Sequence, residues 1–433
     1  MKVSPGRLGP LVVRHAESSV FEALDDTRVV LVNGARQAGK STLVRQVAQV
    51  HGAEWRTLDD VGVRRSALED PVGFVDTDRP MVIDEIQRAP ELLLAVKQRV
   101  DASPWPGQFL LTGSARVLGL RALPDALPGR METIELWPFS QGEIDGQPDG
   151  FIDAAFEHGA GLRHSSSLTR SDYAQRLVRG GFPEAVARAV PRRRERFFDS
   201  YVSDLVSRDV SQLSEIERIS DMRALIRVLA SRSAQLLVPT ALGNDIRLPR
   251  RTTERYIGLL EEVFLIKRIP AWSRNVSTRA TATAKVAMVD SGIAANLIGV
   301  DADQLLRPDS AFGALLEGFV LMELARQLSW SRQRAELFHY RTRDQVEVDA
   351  VIESRSGKVV AVEVKAASTV RSDDFRGLSH LAERLGDDLV VGIVLYTGQQ
   401  TLPFGPRLRA MPISALWQTG TQPPRFDTQL SKR

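Results

Sequence analysis

The sequence has no cysteine among its 433 residues, which excludes disulfide bonds, thiolate metal sites and cysteine catalysis. Six scattered histidines argue against a zinc site built from histidine. No run of eighteen apolar residues occurs, and the N-terminal stretch lacks the apolar core of a signal peptide. We therefore expect a cytoplasmic protein that has no membrane partner.

Lysine is scarce as well, because arginine supplies most of the basic side chains. The lysines stand at positions 2, 40, 97, 267, 285, 358, 365 and 432. The formal net charge of +3 is small, so the chain is not a general polycation. A lysine that is kept inside a motif therefore suggests chemistry that requires an ammonium group.

What the chain does contain is a phosphate-binding loop. Its residues are Gly34, Ala35, Arg36, Gln37, Ala38, Gly39, Lys40, Ser41 and Thr42. The apolar run 28–32 predicts a buried strand before the loop, and the pattern of 41–50 predicts an amphipathic helix after it. In this order, Lys40 would reach the β- and γ-phosphates of ATP and Ser41 would hold Mg²⁺.

A second motif, which is acidic, follows the P-loop about 45 residues later. The segment 81–83 is apolar and predicts a buried parallel strand, which ends at Asp84 and Glu85. Ligands of open α/β sheets bind at that end of the strands. We expect Asp84 to bind Mg²⁺ and Glu85 to polarise the attacking water.

A further strand, predicted at 108–111, ends near two hydroxyl residues. Thr112 is the stronger candidate for sensing the γ-phosphate from a strand between the two motifs, and Ser114 is the weaker one. Arg116 and Arg130 are candidates for a charge-stabilising arginine finger. Neither is preferred over the other.

The middle of the chain offers two signals of lower specificity. Residues 146–168 are rich in Gly, Asp, His and Ser and predict a linker or loop. The following Gly180-Gly181-Phe182-Pro183 could contact an adenine ring or could form a corner between two helices. The residue types alone leave both readings open.

Residues 239–269 predict a helix, a tight turn, a second helix and a strand, which is the order of a winged helix-turn-helix. Exposed basic and hydroxyl side chains at the start of the second helix could contact DNA phosphates or base edges. These are Arg250, Arg251, Thr253 and Arg255. The alternative is a packing module without nucleic acid, because such folds serve both purposes.

Acidic residues mark the last third of the chain. Strand alternation places Asp349 beside Glu347 and Glu363 beside Lys365 on one face of two predicted strands, and Glu317 extends from a long apolar helix. Glu317, Asp349 and Glu363 could hold Mg²⁺ for phosphodiester cleavage, with Lys365 orienting the water. The alternative is a polar strand pair stabilised by a salt bridge.

Together these motifs resemble a prokaryotic family of AAA-like P-loop ATPases that carry a winged helix and a C-terminal PD-(D/E)XK nuclease-like domain. Further landmarks of the resemblance are Leu58-Asp59-Asp60, Leu111-Thr112-Gly113-Ser114, Gly180-Gly181-Phe182-Pro183 and Val289-Asp290-Ser291-Gly292. The resemblance implies an α/β protein with a parallel-sheet AAA-like domain at 1–146, a helical and winged-helix middle at 147–290, and an α/β nuclease-like domain at 291–433. One departure is Val348, which stands where the motif's name has proline.

The predicted function is Mg²⁺-dependent ATP hydrolysis that is coupled to DNA binding and could extend to DNA cleavage. The alternative is a nucleotide-dependent switch whose winged helix and nuclease-like domain only bind DNA or a partner protein. AAA-like ATPases often assemble into rings, so a homo-oligomer is a further expectation.

Overall fold

The computed structural model describes residues 11–114, 127–210 and 219–421. Within these ranges the chain forms two compact units. The smaller unit comprises Val12–Phe139 and the short segment Glu262–Phe264, and the larger unit comprises Ser140–Glu261 and the chain from Leu265 onward. These two units are defined by contacts within the chain and do not correspond one to one to the three predicted domains. The predicted domain limits 1–146, 147–290 and 291–433 therefore stay a prediction.

The smaller unit is built on a parallel sheet, as predicted. Its strands are β1 Val29–Asn33, β2 Glu54–Thr57, β3 Met81–Asp84, β4 Phe109–Gly113 and β5 Met131–Glu135. The strands lie in the order β2-β3-β4-β1-β5, and their pairings are parallel. The strand that ends at Thr112 therefore lies between the P-loop strand and the Asp-Glu strand, where the sequence predicted it.

Helices cover both faces of this sheet. They span Ala16–Asp26, Lys40–His51, Val61–Glu69, Pro71–Val75 and Leu92–Ala102, with a 3₁₀ turn at Ile86–Arg88. Val30 and Val32 of β1 pack in one apolar cluster, whereas Val29 and Leu31 pack in another. Both faces of β1 are thus buried, which explains why its sequence is continuously apolar rather than alternating.

The larger unit contains two sheets. A two-stranded sheet pairs β6 Ile266–Ile269 with β7 Lys285–Met288 in antiparallel fashion. The other strands are β8 Ala335–Arg341, β9 Glu347–Ser354, β10 Val359–Lys365, β11 Leu389–Tyr396, β12 Leu402–Pro403 and β13 Leu408–Pro412. They form a six-stranded sheet in the order β12-β13-β11-β10-β9-β8. The predicted hairpin of β8 and β9 is confirmed by their antiparallel register.

The first helices of the larger unit span Gln141–Asp145, Phe151–His158, Arg170–Arg179, Pro183–Val186 and Pro191–Asp204, with a π-helical turn at Leu205–Val210. They continue with Ile219–Ser231, Pro239–Ile246, Arg250–Glu262, Val276–Thr281, Ser291–Ile298, Ala302–Leu305, Phe312–Gln327, Arg376–Leu385 and Ala415–Gln418. Short 3₁₀ turns lie at Gly159–Gly161, Ser372–Phe375 and Gly386–Asp388.

The prediction of a linker or loop at 146–168 was wrong in part, because helix Phe151–His158 lies within this segment. Phe151, Ile152, Ala154 and Ala155 are buried. The apolar residues of this short helix are flanked by Gly and Asp, and those flanks dominated the composition of the segment. Packing of the apolar residues therefore overrode the local loop signal.

Two helices frame the six-stranded sheet. Leu378, Leu381 and Leu385 of helix Arg376–Leu385 pack in one apolar cluster with Val348 and Val359 of the sheet. Helix Phe312–Gln327 is buried over most of its circumference, as expected for a helix that is apolar all round. Among the described residues, no helix is both long enough and apolar enough to span a lipid bilayer.

Candidate functional site

The P-loop of the smaller unit follows directly from β1. The side-chain oxygen of Asn33 accepts a hydrogen bond from the Gly34 N–H at 3.0 Å. A Cβ on Gly34 would overlap the carbonyl oxygen of Leu136, so this position requires glycine. Gly39 caps the following helix with φ of 97°, a backbone conformation that glycine adopts without strain.

Lys40 points into the loop that precedes it. Its ammonium donates hydrogen bonds to the carbonyl oxygens of Gly34 at 3.0 Å and Ala35 at 2.9 Å, and the residue is 4% exposed. A buried ammonium at the N-terminus of a twelve-residue helix forms a strongly electropositive environment for an anion. This is the geometry that a triphosphate site requires.

Arg14 is a second buried cation beside the loop, and it belongs to none of the predicted motifs. Its guanidinium donates to the carbonyl oxygens of Ala38 and Trp137, both at 2.7 Å. It also stacks over the ring of Phe139 at 4.9 Å. These contacts hold the loop against the strand β5 side of the unit. No motif around Arg14 distinguishes it from the many other arginines of the chain.

Asp84 is the centre of a hydroxyl cluster at the carboxyl ends of the strands. It accepts hydrogen bonds from Ser41 at 2.9 Å, from Thr112 at 2.7 Å and from Thr57 at 3.3 Å. Asp84 is 5% exposed. The structure therefore brings together three residues that the sequence analysis had selected from segments far apart in the chain. Thr57 is the member of the cluster that the analysis missed.

Glu85 adopts a left-handed conformation with φ of 62° and ψ of 49°, which is strained for a residue with a Cβ. Its N–H donates to the Thr112 hydroxyl at 2.9 Å. Its carboxylate accepts a hydrogen bond from the amide of Gln87, which also donates to the Ser114 hydroxyl at 2.8 Å. Gln87 therefore holds the Glu85 carboxylate and links it to Ser114 after β4, a role that its position gave no reason to expect.

These residues fit a nucleotide with its Mg²⁺ ion. The buried Lys40 ammonium and the helix N-terminus suit phosphate oxygens, and the converging oxygens of Ser41 and Asp84 suit a hard cation. Of the two arginine candidates, Arg130 forms an ion pair with Asp101, and Arg116 lies outside the described residues. The roles assigned to all of these residues stay predictions.

The acidic residues of the larger unit form a different arrangement. The ammonium of Lys285, at the start of β7, contacts Glu317 at 2.6 Å, Glu347 at 2.8 Å and Asp349 at 3.1 Å. The Lys285 side chain is 3% exposed. Burial alone would lower the pKa of Lys285, but the charges of Asp349 and Glu317 outweigh it and raise that pKa above its ordinary value.

The remaining predicted residues lie beside this group. The second oxygen of Asp349 accepts a hydrogen bond from the Val364 N–H at 2.9 Å. Glu363 forms an ion pair with Lys365 at 2.9 Å. Burial and the negative charge of Asp349 raise the pKa values of Glu317 and Glu363 above their ordinary values. We call Lys285, Glu317, Glu347 and Asp349 the ammonium cluster.

The predicted Mg²⁺ at Glu317, Asp349 and Glu363 does not fit this arrangement. Lys285 places a positive charge among the carboxylates, in the role that the metal ion was expected to fill. In the part of the chain that the structure describes, no group of three or more His, Cys, Asp or Glu side chains is arranged to hold a metal ion. Sequence alternation correctly grouped the carboxylates but could not show that a lysine from another strand neutralises them.

The Gly180-Gly181 corner packs against the landmark Asp290. The Asp290 carboxylate accepts from the Gly181 N–H at 2.7 Å and from the Ile293 N–H at 3.0 Å. A Cβ on Gly180 would overlap that carboxylate. Complete burial raises the pKa of Asp290 despite the hydrogen bonds that lower it. These contacts account for both motifs as one helix corner, which favours the structural reading of Gly180-Gly181 over adenine contact.

The helix-turn-helix region shows one predicted DNA contact to be wrong. Thr253 is buried, and its hydroxyl donates to the Pro249 carbonyl oxygen at 3.1 Å. The hydroxyl therefore bonds back to the carbonyl of the residue four positions earlier rather than facing solvent. Arg250, Arg251 and Arg255 are exposed, and Arg250 forms an ion pair with Glu254 at 2.7 Å. Arg247, in the turn, is exposed as well.

Comparison with protein families divides the chain into three matched regions. Residues 26–145 match an AAA domain. Residues 170–304 match a domain of unknown function, DUF8612, and residues 312–416 match another, DUF4143. The AAA match coincides with the P-loop, the parallel sheet and the hydroxyl cluster around Asp84. Residues 26–145 are therefore similar to AAA domains and carry a P-loop.

Relatives of the chain extend over most of its length. An uncharacterised protein of Mycobacterium tuberculosis is 28% identical over 415 residues, which are 94% of this chain and 85% of that protein. An uncharacterised protein of Haemophilus influenzae is 22% identical over 392 residues, covering 85% of this chain and 90% of that protein.

Two solved structures are also similar. The Walker-type ATPase of Pyrococcus abyssi has a TM-score of 0.37 and 15% identity, and the similarity covers 66% of this chain and 96% of that one. A RuvB variant of Thermotoga maritima has a TM-score of 0.32 and 17% identity, covering 61% of this chain and 94% of that one.

Proposed function

We propose that this protein is a Mg²⁺-dependent ATPase whose nucleotide state controls DNA binding by its larger unit. The observation that carries the proposal is the convergence of Ser41 and Thr112 on Asp84, beside a P-loop that holds the buried ammonium of Lys40. The residues that we assign as metal ligand, sensor hydroxyl and phosphate-binding lysine thus lie in one place. The match of 26–145 to an AAA domain supports the same assignment.

In this proposal each residue has a separate task. The loop Gly34–Thr42 binds the phosphates, and Ser41 and Asp84 hold the Mg²⁺ ion, which neutralises charge on the phosphates when it is bound. Glu85 orients and polarises the attacking water. Thr112 lies against the acidic motif, because its hydroxyl donates to Asp84 and accepts from the N–H of Glu85. Ser41 of the loop also donates to Asp84, so a change at the phosphates can reach the Glu85 backbone through the hydrogen bonds of Asp84 and Thr112.

DNA binding is assigned to the helix-turn-helix region of the larger unit. Arg247, Arg250, Arg251 and Arg255 are exposed along the turn and the second helix. The antiparallel strands β6 and β7 follow, in the order expected of a wing. Exposed guanidinium groups at the N-terminal end of the second helix suit contacts with DNA phosphates.

For the nuclease-like region, the ammonium cluster favours a binding role over cleavage. Metal-dependent cleavage requires carboxylates that are free to coordinate an ion, whereas Glu317, Glu347 and Asp349 contact Lys285. We therefore favour the regulatory switch, in which the larger unit binds DNA or a partner protein and does not cut.

The ATPase assignment is tested by Lys40→Ala, with Lys97→Ala as the matched control. We expect Lys40→Ala to lower the rate of Mg²⁺-dependent phosphate release about 10²- to 10³-fold, because the loop loses its phosphate-contacting charge. Lys97 lies in helix Leu92–Ala102 and not in the loop, so its variant should keep the wild-type rate. A wild-type protein that releases no phosphate with any nucleotide would refute the assignment.

The DNA assignment is tested by fluorescence anisotropy with a labelled duplex at several salt concentrations. Arg251→Ala/Arg255→Ala should weaken binding and reduce the salt dependence by about two counterions. Arg192→Ala/Arg193→Ala removes the same charge from another exposed helix and serves as the control. Equal losses in both double variants would show that only net charge matters.

A further inference from the structure

The ammonium cluster is the place where the expected metal ion and the observed contacts disagree. The carboxylates come from helix Phe312–Gln327 and strand β9, whereas the cation comes from β7. The Lys285 ammonium has carboxylate oxygens at 2.6, 2.8 and 3.1 Å. A buried lysine needs such partners, since an uncompensated charge in this position would be costly.

The charges around the cluster show what Lys285 contributes. Arg341 contacts the other oxygen of Glu347 at 2.9 Å, and Lys365 contacts Glu363 at 2.9 Å. Three basic side chains thus face four carboxylates. Without Lys285, the inner carboxylates Glu317 and Asp349 would lose the ammonium that lies between them. The vacated volume would then be lined by carboxylate oxygens, the ligands that Mg²⁺ and Mn²⁺ prefer.

We infer that Lys285 is a built-in cation that takes the place of a divalent metal ion and closes this carboxylate set to metal. The inference goes beyond the proposed ATPase activity and does not depend on it. It also assigns a role to β7, because this second strand after the helix-turn-helix supplies the ammonium. Binding of Mn²⁺ is then expected only after the ammonium has been removed.

The test measures Mn²⁺ binding by electron paramagnetic resonance in the full-length chain without nucleotide. All variants carry Asp84→Asn, so that the P-loop site does not contribute. The parent protein, which carries Asp84→Asn alone, should bind no Mn²⁺ at this cluster. Addition of Lys285→Met should create one Mn²⁺ site, with an affinity at least tenfold higher than that of the parent. Lys285→Arg retains the cation and should bind no Mn²⁺. Addition of Asp349→Asn to the Lys285→Met variant should abolish the new site.

Two results would overturn the inference. One is a parent protein that already binds Mn²⁺ in a manner abolished by Asp349→Asn, because the ammonium would then not exclude metal. The other is a folded Lys285→Met variant without a new site. If Lys285→Met does not fold, Lys285→Gln, which keeps a hydrogen-bond donor among the carboxylates, replaces it in the same measurement. Thermal unfolding with and without Mn²⁺ gives a second readout. The metal should raise the melting temperature of the Lys285→Met variant and leave the melting temperature of the parent protein unchanged.

Discussion

Asp84 in the smaller unit and Asp349 in the larger unit are both buried aspartates at strands, but their partners differ in charge. Asp84 accepts hydrogen bonds from the hydroxyls of Ser41, Thr57 and Thr112. Asp349 contacts the ammonium of Lys285 and accepts from a backbone N–H. Two aspartates that both lie in suggestive sequence motifs thus belong to chemically distinct kinds of site.

The difference matters because hydroxyls and ammonium groups affect a carboxylate in different ways. A hydroxyl stabilises the carboxylate by a hydrogen bond, leaves its negative charge in place and can itself bind a metal ion. An ammonium neutralises the charge and occupies the space that a metal ion would need. The Asp84 cluster is therefore suited to recruiting a cation, whereas the ammonium cluster already contains one.

The largest expected effect is on catalysis and comes from Asp84→Asn. Asparagine keeps an oxygen for the Ser41 and Thr112 hydroxyls, so the free energy of unfolding should change by no more than about 1 kcal/mol. Loss of the metal-binding charge should nevertheless reduce ATP hydrolysis about 10³-fold. Steady-state phosphate release and chemical denaturation measure the two quantities. Asp25→Asn, at an exposed position of the same unit, should change neither, and a large loss of stability in Asp84→Asn would contradict the comparison.

The next effect is on stability and comes from Glu317→Gln. Removal of one carboxylate leaves the buried Lys285 ammonium with less compensation, so the free energy of unfolding should fall by about 2 kcal/mol. ATP hydrolysis by the P-loop site should persist. Chemical denaturation provides the measurement, and Glu336→Gln, at an exposed position of β8, is the control. If Glu317→Gln were as stable as that control, the ammonium cluster would not contribute to folding in the way described.

The last effect is absent at neutral pH and concerns His339, which lies in β8 near the charge of Lys285. Burial lowers the pKa of His339 to about 4, and its Nε2 lies 3.0 Å from the Thr283 carbonyl oxygen. The unfolded chain binds this proton at a higher pH than the folded chain does, so stability should fall as pH decreases from 6.5 towards 4. The loss attributable to this residue should not exceed about 3 kcal/mol.

Denaturation curves at several pH values check this expectation in His339→Gln. The variant keeps a donor for Thr283 but has no titrating ring, so its stability should depend less on pH over the same window. His158→Gln removes a histidine at an exposed position and should follow the wild-type curve. Parallel curves for His339→Gln and the wild type would show that the buried ring does not contribute to acid sensitivity.

Local patterns predicted the framework of the smaller unit well. The P-loop, the apolar strands and the placement of Thr112 between the two motifs all follow from short segments whose periodicity and order are informative. Arg14 and Gln87 were missed, because nothing in their neighbourhood indicates that they contact the loop and Glu85. Their partners lie far away in sequence or beyond a turn, and arginine is too common in this chain to be selected by type.

Prediction was less successful in the larger unit, for a related reason. The strands β8 to β11 and the pairing of β8 with β9 were recognised from their alternation. Thr253 was assigned to solvent, although it is buried and bonded to Pro249. A hydroxyl in the first turns of a helix can bond back to a backbone carbonyl or can face solvent, and the local sequence is the same in both cases.

The sequence by itself determined the P-loop of this protein, because such a loop is built largely from consecutive backbone and side-chain groups. It also determined which carboxylates of the larger unit share a face, since strand alternation is a local property. Only the tertiary structure decided the charge state of that face. Lys285 reaches Glu317 and Asp349 across separations of 32 and 64 residues, and no local rule predicts such a meeting. The cation beside these carboxylates is therefore the ammonium of Lys285, which only the folded chain brings to them.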